Sequence, residues 1–260
     1  MEFCSPTSGR LPAHIDLRHG PRALLGRFFL AADAAARQRG VTLHFAGLGD
    51  LLAANERHRD TWRPIMPLFD PAFSEVDART AFVLLGYDDA GEVVAAQAAR
   101  FYDWPDTMLQ DEASSLRMFY RDPQAALAEG SHCTLATPSA TRISGRVVFS
   151  GAGWYRPDFR GKGLAGLLPR ISRALAHALW DTRHTFSMMA DAVISRGFAE
   201  RTGYTRIEHG VVDFTLAPIG AFRGAFVWME TPELVADLER TLATLTAAAT
   251  EPALLRTGSD

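Results

Sequence analysis

Between Arg146 and Leu216 apolar segments of two kinds alternate, and no other feature of the chain limits its fold as much. RVVFSGAGWY (146–155) has the length and β-branched or aromatic content of a strand, and RPDF makes a turn. A helical stripe runs from about Gly163 to Trp180, HTFSMMAD (184–191) is again strand-like, VISRGFAERTG (193–203) is helical, and TRIEHGVVDFTL (205–216) is a further strand. Strands that alternate with helices point to an α/β fold with at least one parallel pair. In the first of these helices Leu164, Leu167, Leu168, Ile171, Leu175 and Ala178 share the face that packs on the sheet. Pro169 falls inside that helix, which predicts a kink and leaves the Ala165 carbonyl in need of another donor.

Upstream, residues 1–16 read as a loose lead-in rich in Pro, Ser and Gly. Residues 21–38 carry Leu24, Leu25, Phe28, Phe29, Ala32, Ala35 and Ala36 on one helical stripe that ends before Gly40. Val41, Leu43 and Phe45 alternate with polar residues as in a short strand, and LGDLLAANERHR is helical. Pro64, Pro67 and Pro71 then predict an ordered loop. Thr80–Tyr87 and Glu92–Tyr102 are strand-like runs joined by Asp88-Asp89-Ala90-Gly91, a hairpin connection by its turn chemistry. Residues 104–143 form an insert with one short helical candidate, Ala113–Tyr120, and inserts of that size are commonly functional. Residues 232–250 read as a closing helix and EPALLRTGSD as a mobile tail. The expected division is therefore an N-terminal extension (1–40), a main domain (41–230) and a C-terminal helix with tail (231–260).

Composition narrows the partners. Of 260 residues 47% are hydrophobic and 22% charged, enough to bury a core as a globular protein. A formal net charge of −3 supplies no basic field for nucleic acid, so no nucleic-acid partner is expected. Cys4 and Cys133 make no disulfide framework and read as two reduced thiols. The N-terminus lacks a basic and then apolar leader, and no apolar stretch nears the ~20 residues that span a bilayer, so neither secretion nor a membrane partner is expected and the location reads as cytoplasmic. The histidines His44, His177, His184 and His209 have no metal-ligand spacing with Cys or carboxylates, so no metal is assigned.

The stretch YRPDFRGKGLAGLLPRI (155–171) carries the functional signal. The first amides of a helix lack internal acceptors, and the macrodipole adds about half a positive charge there. Gly161 and Gly163 leave the backbone bare and Arg160 and Lys162 add charge, so a phosphate or diphosphate would suit this site. The alternative is that the glycines only make a tight strand-to-helix turn. The Walker loop is absent.

Arg160-Gly161-Lys162-Gly163-Leu164-Ala165, with Tyr155-Arg-Pro-Asp-Phe before it and Phe198-Ala-Glu-Arg-Thr-Gly-Tyr204 after it, resembles the GCN5-related N-acetyltransferase (GNAT) family. The resemblance is good over 143–216 and extends in element order to 41–103. It implies a mixed, mostly antiparallel central sheet with a splayed strand pair and flanking helices, the acyl-CoA N-acyltransferase fold. It further implies transfer of an acyl group, most simply acetyl from acetyl-CoA, to an amine of a small molecule or peptide. A non-catalytic acyl-CoA-binding module with a regulatory or partner-binding role is the alternative. The pantetheine arm would run along Gly153, Trp154 and Tyr155, where Gly151 and Gly153 suit a distorted strand, and the diphosphate would sit on Arg160, Gly161, Lys162, Gly163, Leu164 and Ala165.

The sequence departs from the family where Ala199 replaces the tyrosine that often serves as the acid, and the strand Val147–Gly151 offers no glutamate base. The catalytic residues are therefore unknown, with Asp191, at a strand end, the one local candidate. Its competing reading is an N-terminal cap. Tyr102, Asp103 and Trp104 end a hairpin strand and either line an acceptor pocket or fill strand-end and core roles. His132, in the insert, is either a substrate contact or a solvated loop residue. The N-terminal helix, the insert and the closing helix are where an acceptor site or a homodimer contact would be built.

Overall fold

Among the described residues, runs with the strand period build eight strands, and their pairing places the parallel pair at the centre of one sheet. A computed structural model describes residues 11–254, with side chains described as far as residue 248. The strands are β1 (Thr42–Ala46), β2 (Ala81–Tyr87), β3 (Val93–Trp104), β4 (His132–Leu135), β5 (Gly145–Tyr155), β6 (His184–Ala190), β7 (Arg206–Leu216) and β8 (Gly220–Glu230). They lie in the order β1-β2-β3-β5-β6-β8-β7-β4, and every neighbouring pair is antiparallel except β5 and β6. The helices are α1 (Arg22–Gln38), α2 (Leu48–Arg57), α3 (Leu109–Ser114), α4 (Pro123–Ala128), α5 (Leu168–Trp180), α6 (Asp191–Ile194), α7 (Phe198–Thr202) and α8 (Thr231–Leu254).

Alternation along the strands sorts side chains into two cores. Phe82, Leu84 and Val148 pack with Leu25, Phe28 and Phe29 of α1, Ile171 and Leu175 of α5 and Leu234 and Leu238 of α8. Val83, Leu85, Val147 and Phe149 face the other way, toward Leu51 of α2, Leu109 of α3 and the proline-rich segment with Trp62, Ile65, Leu68 and Phe69. With both faces covered, β2 is buried along nearly its whole length. Cys133 is buried in β4, where burial pushes its thiol up to about 12, leaving no thiolate at neutral pH.

Several expectations change here. The helix expected from Gly163 begins at Leu168, after a separate 3-10 turn over Leu164–Gly166, and Pro169 sits in its first turn. The first-turn N–H has no helical acceptor in any case, so the proline is tolerated there and produces no interior kink. The helical stretch 193–203 is two short helices separated by Gly197, which holds φ at +66°. The insert contains α3, α4 and β4, with the helix earlier than Ala113–Tyr120. Strand β8 had no counterpart in the sequence reading. Leu11 of the lead-in is buried, and α8 runs to Leu254, into the stretch read as a tail. Cys4, the rest of the lead-in before residue 11, and residues 255–260 lie outside the described residues.

Burial also sets an acid limit to stability. Desolvation lowers the pKa of His44, His177 and His184, opposed or aided by smaller charge effects. The unfolded chain takes up these protons near its ordinary value of about 6.5, where the folded chain does not. The stability they carry is thus complete above that value and is lost as pH falls through the depressed folded values. The unfolding free energy from urea titration is expected to drop between about pH 7.5 and about pH 5.5, by at most about 1.4 kcal/mol per pH unit per histidine. His177→Gln should flatten that slope, and an unchanged slope would rule the histidine out as its source.

Candidate active site

The parallel pair separates part-way along. Pairing between β5 and β6 covers only Val147–Phe149 against His184–Phe186. Beyond it β5 stays with β3 and β6 stays with β8, so the free side of β5 after Phe149 has no strand partner among the described residues. The cause is a bulge. Ala98 pairs with Gly151 and Ala96 with Trp154, so Ala152 and Gly153 together oppose Gln97. Ala152 carries the distortion itself, at φ +54°, a conformation that costs a non-glycine residue about 1–2 kcal/mol.

Neighbours hold it there. The buried Gln97 amide donates to the Gly151 carbonyl (3.0 Å) and to Ser150 Oγ (3.2 Å). A Cβ on Gly151 would come within 2.4 Å of the Phe149 ring, so the close fold-back of that ring requires glycine. Gln97→Leu removes both donors and strands buried acceptors, which should cost about 1–3 kcal/mol in a denaturant titration. A loss within the error of the measurement would mean that the bulge does not depend on Gln97.

The segment after β5 forms a loop with bare amides. Gly161 and Gly163 hold φ at +80° and +78°, conformations that favour glycine. Among the described residues the N–H groups from Gly161 to Ala165 have no acceptor. Successive amides in such a conformation form an anion-binding concavity. This capacity sits in the loop, ahead of the 3-10 turn, rather than at the opening of α5.

Three arginines fix the loop. Arg39, just past α1, donates from Nε to the Lys162 carbonyl (2.8 Å) and from Nη1 to Ala35 (2.6 Å). Arg160 Nε donates to the Tyr155 carbonyl at 3.1 Å. Arg170 Nη1 donates to the carbonyls of Gly166 and Arg201, both at 2.6 Å, and its other nitrogens hold Asp237 of α8 at 2.7 and 3.0 Å.

Loop and gap open on one cavity of about 950 Å³. It passes through the sheet, because its lining includes Trp154, Phe149 and Phe214 from one core and Tyr155, Leu164 and Tyr204 from the other. Four arginines line it, Arg63, Arg160, Arg196 and Arg201. Among the described lining residues there is no Asp, Glu, His, Lys or Cys. Burial raises the phenols of Tyr155 and Tyr204, and the buried Arg173 guanidinium, 4.6 Å over the Tyr204 ring, pulls the other way.

Of the residues expected to hold a coenzyme, Gly153, Trp154, Tyr155, Arg160, Gly161, Gly163, Leu164 and Ala165 line this cavity. Lys162 does not, and its ammonium lies 3.6 Å from the centroid of the Phe159 ring. The expected acceptor residues Tyr102, Asp103 and Trp104 are elsewhere. They pair with Val147, Arg146 and Gly145, and five residues of strand put Tyr102 about 17 Å beyond Gln97. Tyr102 is buried, stacks on Trp104 and donates to the Met118 carbonyl at 2.8 Å, its phenol pushed up to about 12 by burial. Asp103 is exposed.

Asp191 is exposed, is not among the residues that line the cavity, and begins α6, whose N-cap is Ala190, so its carboxylate does not cap the helix. Ala199 is fully buried. His132 lies on β4, 3.7 Å from Asp213 and outside the cavity. No group of three His, Cys, Asp or Glu that could hold a metal ion occurs among the described residues, and no described helix is long and apolar enough to cross a membrane.

The sequence reading missed Arg39, Arg63, Trp62, Arg196, Arg201 and Gln97. Only Gln97 left a signal, as the lone polar residue in the apolar run VVAAQAA.

No family model and no curated protein sequence matches the chain. Solved structures do. A GNAT-superfamily phosphinothricin acetyltransferase from Sinorhizobium meliloti, in complex with acetyl-CoA, is 16% identical, with 74% of this chain and 88% of that one covered and a TM-score of 0.42. A spermidine N-acetyltransferase from Vibrio cholerae, described as dodecameric, is 11% identical over 74% and 94%, with a TM-score of 0.43. An aminoglycoside acetyltransferase in complex with coenzyme A and kanamycin is 13% identical over 74% and 96%, with a TM-score of 0.42.

Proposed function

We propose that this chain is an acyl-CoA-dependent N-acyltransferase, using acetyl-CoA most simply, that passes the acyl group directly to an amine of a small molecule or peptide. One observation supports it above all: a single cavity joins the unpaired edge of β5, beyond Phe149, to the acceptor-free amides of Gly161–Ala165. An extended amide-bearing arm needs the first, since it can pair with a strand edge. A diphosphate needs the second, and Arg160, Arg196 and Arg201 add positive charge around it.

Acyl-CoA supplies an activated thioester. The chain's part is to align it along Gly151–Tyr155, to polarise the thioester carbonyl with a backbone N–H at the gap, and to exclude bulk water. The amine nitrogen attacks the carbonyl carbon, the C–S bond breaks, coenzyme A leaves as thiolate, and the amine proton passes to water. The cytoplasm and a homodimer remain the expected setting of this activity.

The test is thermal protection paired with thiol release. Acetyl-CoA at ~100 times its dissociation constant should stabilise the fold by about 2.7 kcal/mol, or about 5–10 °C in Tm, and free thiol should appear only when an amine is added. An unmoved Tm at millimolar acetyl-CoA overturns the reading. Protection without thiol release over a broad amine panel would identify a binding module instead.

A further inference from the structure

Resting on that reading of the site, we propose that the acceptor is a weakly basic aromatic amine, an aryl amine that is uncharged at neutral pH, and not a polycation. Four features of the cavity carry this.

The half of the cavity away from the anion loop is walled by Trp62, Ile65, Met66, Trp154, Phe214 and Phe222. Trp62 and Trp154 stack in parallel, with centroids 4.9 Å apart and planes 6° apart, and His58 tilts against Trp154 at 4.5 Å. The pair is already stacked on itself, so its exposed edges and the neighbouring apolar side chains favour an apolar ring by buried area and edge contact. Next, the indole N–H of Trp154, on a residue 4% exposed, has no acceptor among the described residues. A buried donor without a partner is costly to leave unmade and marks where a ligand acceptor fits.

Charge supplies the third feature. A polyamine or aminoglycoside would bring several ammonium groups into a cavity with no carboxylate to receive them, and Arg63 on that wall repels them. The fourth is the missing base. Attack requires a neutral nitrogen lone pair. An alkylammonium must first lose a proton, and no lining carboxylate or imidazole can take it. An aryl amine, whose lone pair is shared with its ring, enters already neutral and loses its proton only after the C–N bond forms, to water, as the thiolate departs. The titratable or charged groups facing the cavity are His58 behind Trp154, Arg63, Arg160, Arg196 and Arg201, and the phenols of Tyr155 and Tyr204.

The experiment measures thiol release from acetyl-CoA with aniline, 4-aminobenzoate, phenethylamine, spermidine and kanamycin, alongside acetyl-CoA protection of the same protein. The aryl amines are expected to exceed phenethylamine in kcat/KM by more than about tenfold near neutral pH, with a flat profile from about pH 6 to about pH 8. Spermidine and kanamycin should give none. Met66→Glu, which adds a carboxylate to the wall, should lower aryl-amine kcat/KM, and Trp62→Phe should raise aryl-amine KM with kcat nearly unchanged, while both keep full acetyl-CoA protection. Spermidine or kanamycin turning over as well as the aryl amines overturns the proposal. So does intact protection with no aryl-amine turnover, whereas absent protection sinks the underlying transferase reading.

Discussion

Replacing Asp237 by alanine is expected to lower the unfolding free energy by about 3–5 kcal/mol. Its carboxylate is only 6% exposed and receives two nitrogens of Arg170, with Arg173 at 4.0 Å and Arg240 at 3.7 Å. Arg173 is fully buried on α5, where desolvation lowers its pKa and the Asp237 charge opposes that shift. Removing the carboxylate leaves two inward guanidinium groups with no compensating charge, which is the expensive way to break a buried pair. Against a typical total of about 5–15 kcal/mol, the variant should lose much of its margin. Asp237→Asn keeps the shape and one acceptor and should fall in between. Urea titration decides it: a loss below about 1 kcal/mol would mean that the network is as weak as a surface pair.

The second large effect is on ligand protection. Gly163→Val should abolish the Tm rise caused by acetyl-CoA. At φ +78° a β-branched residue is strained by at least about 1–2 kcal/mol. Its Cβ would also press within 3.3 Å of Arg39 Nε, which holds the Lys162 carbonyl, so the loop must shift. Gly161→Ala separates the two causes. Its φ of +80° imposes the same backbone strain, yet a Cβ there meets nothing within 4 Å. That variant should lose stability and only part of the protection, since its amide belongs to the same concavity but Arg39 is not displaced, and the exposed Glu239→Gln should change neither. A folded Gly163→Val protein that acetyl-CoA still protects fully would remove the loop from the binding site.

Local signals were readable and distant ones were not. The strand–loop–helix run around Arg160–Ala165 could be placed because its cues, glycines, charges and an apolar stripe, all lie within one stretch of chain. The distorted strand that the resemblance implies fits Gly151 and Gly153 by their lack of side chains, yet Ala152 between them adopts the unusual φ, because tertiary hydrogen bonds from Gln97 hold the strand there. Pro169 read as a helix interior because a 3-10 turn and an α-helix share nearly the same apolar spacing. No strand is expected from the sequence over 220–230, although Phe226, Val227 and Trp228 are buried in β8. For Tyr102–Trp104 the sequence leaves an acceptor wall and a strand-end or core role open, because a strand's two ends look alike in sequence, and only pairing with β5 says which end meets the gap. Arg39 lies 123 residues from the carbonyl it holds, and no periodicity connects them.

That grip by Arg39, with the hold of Asp237 on Arg170 from the last helix, ties the earliest and latest helices of the fold to the rim of one groove. On the proposed reading, the lifetime of a bound acyl-CoA depends on how firmly both are seated. Loosening either from the outside would speed release without altering any atom the ligand touches, so the back of the molecule offers a means of adjusting occupancy.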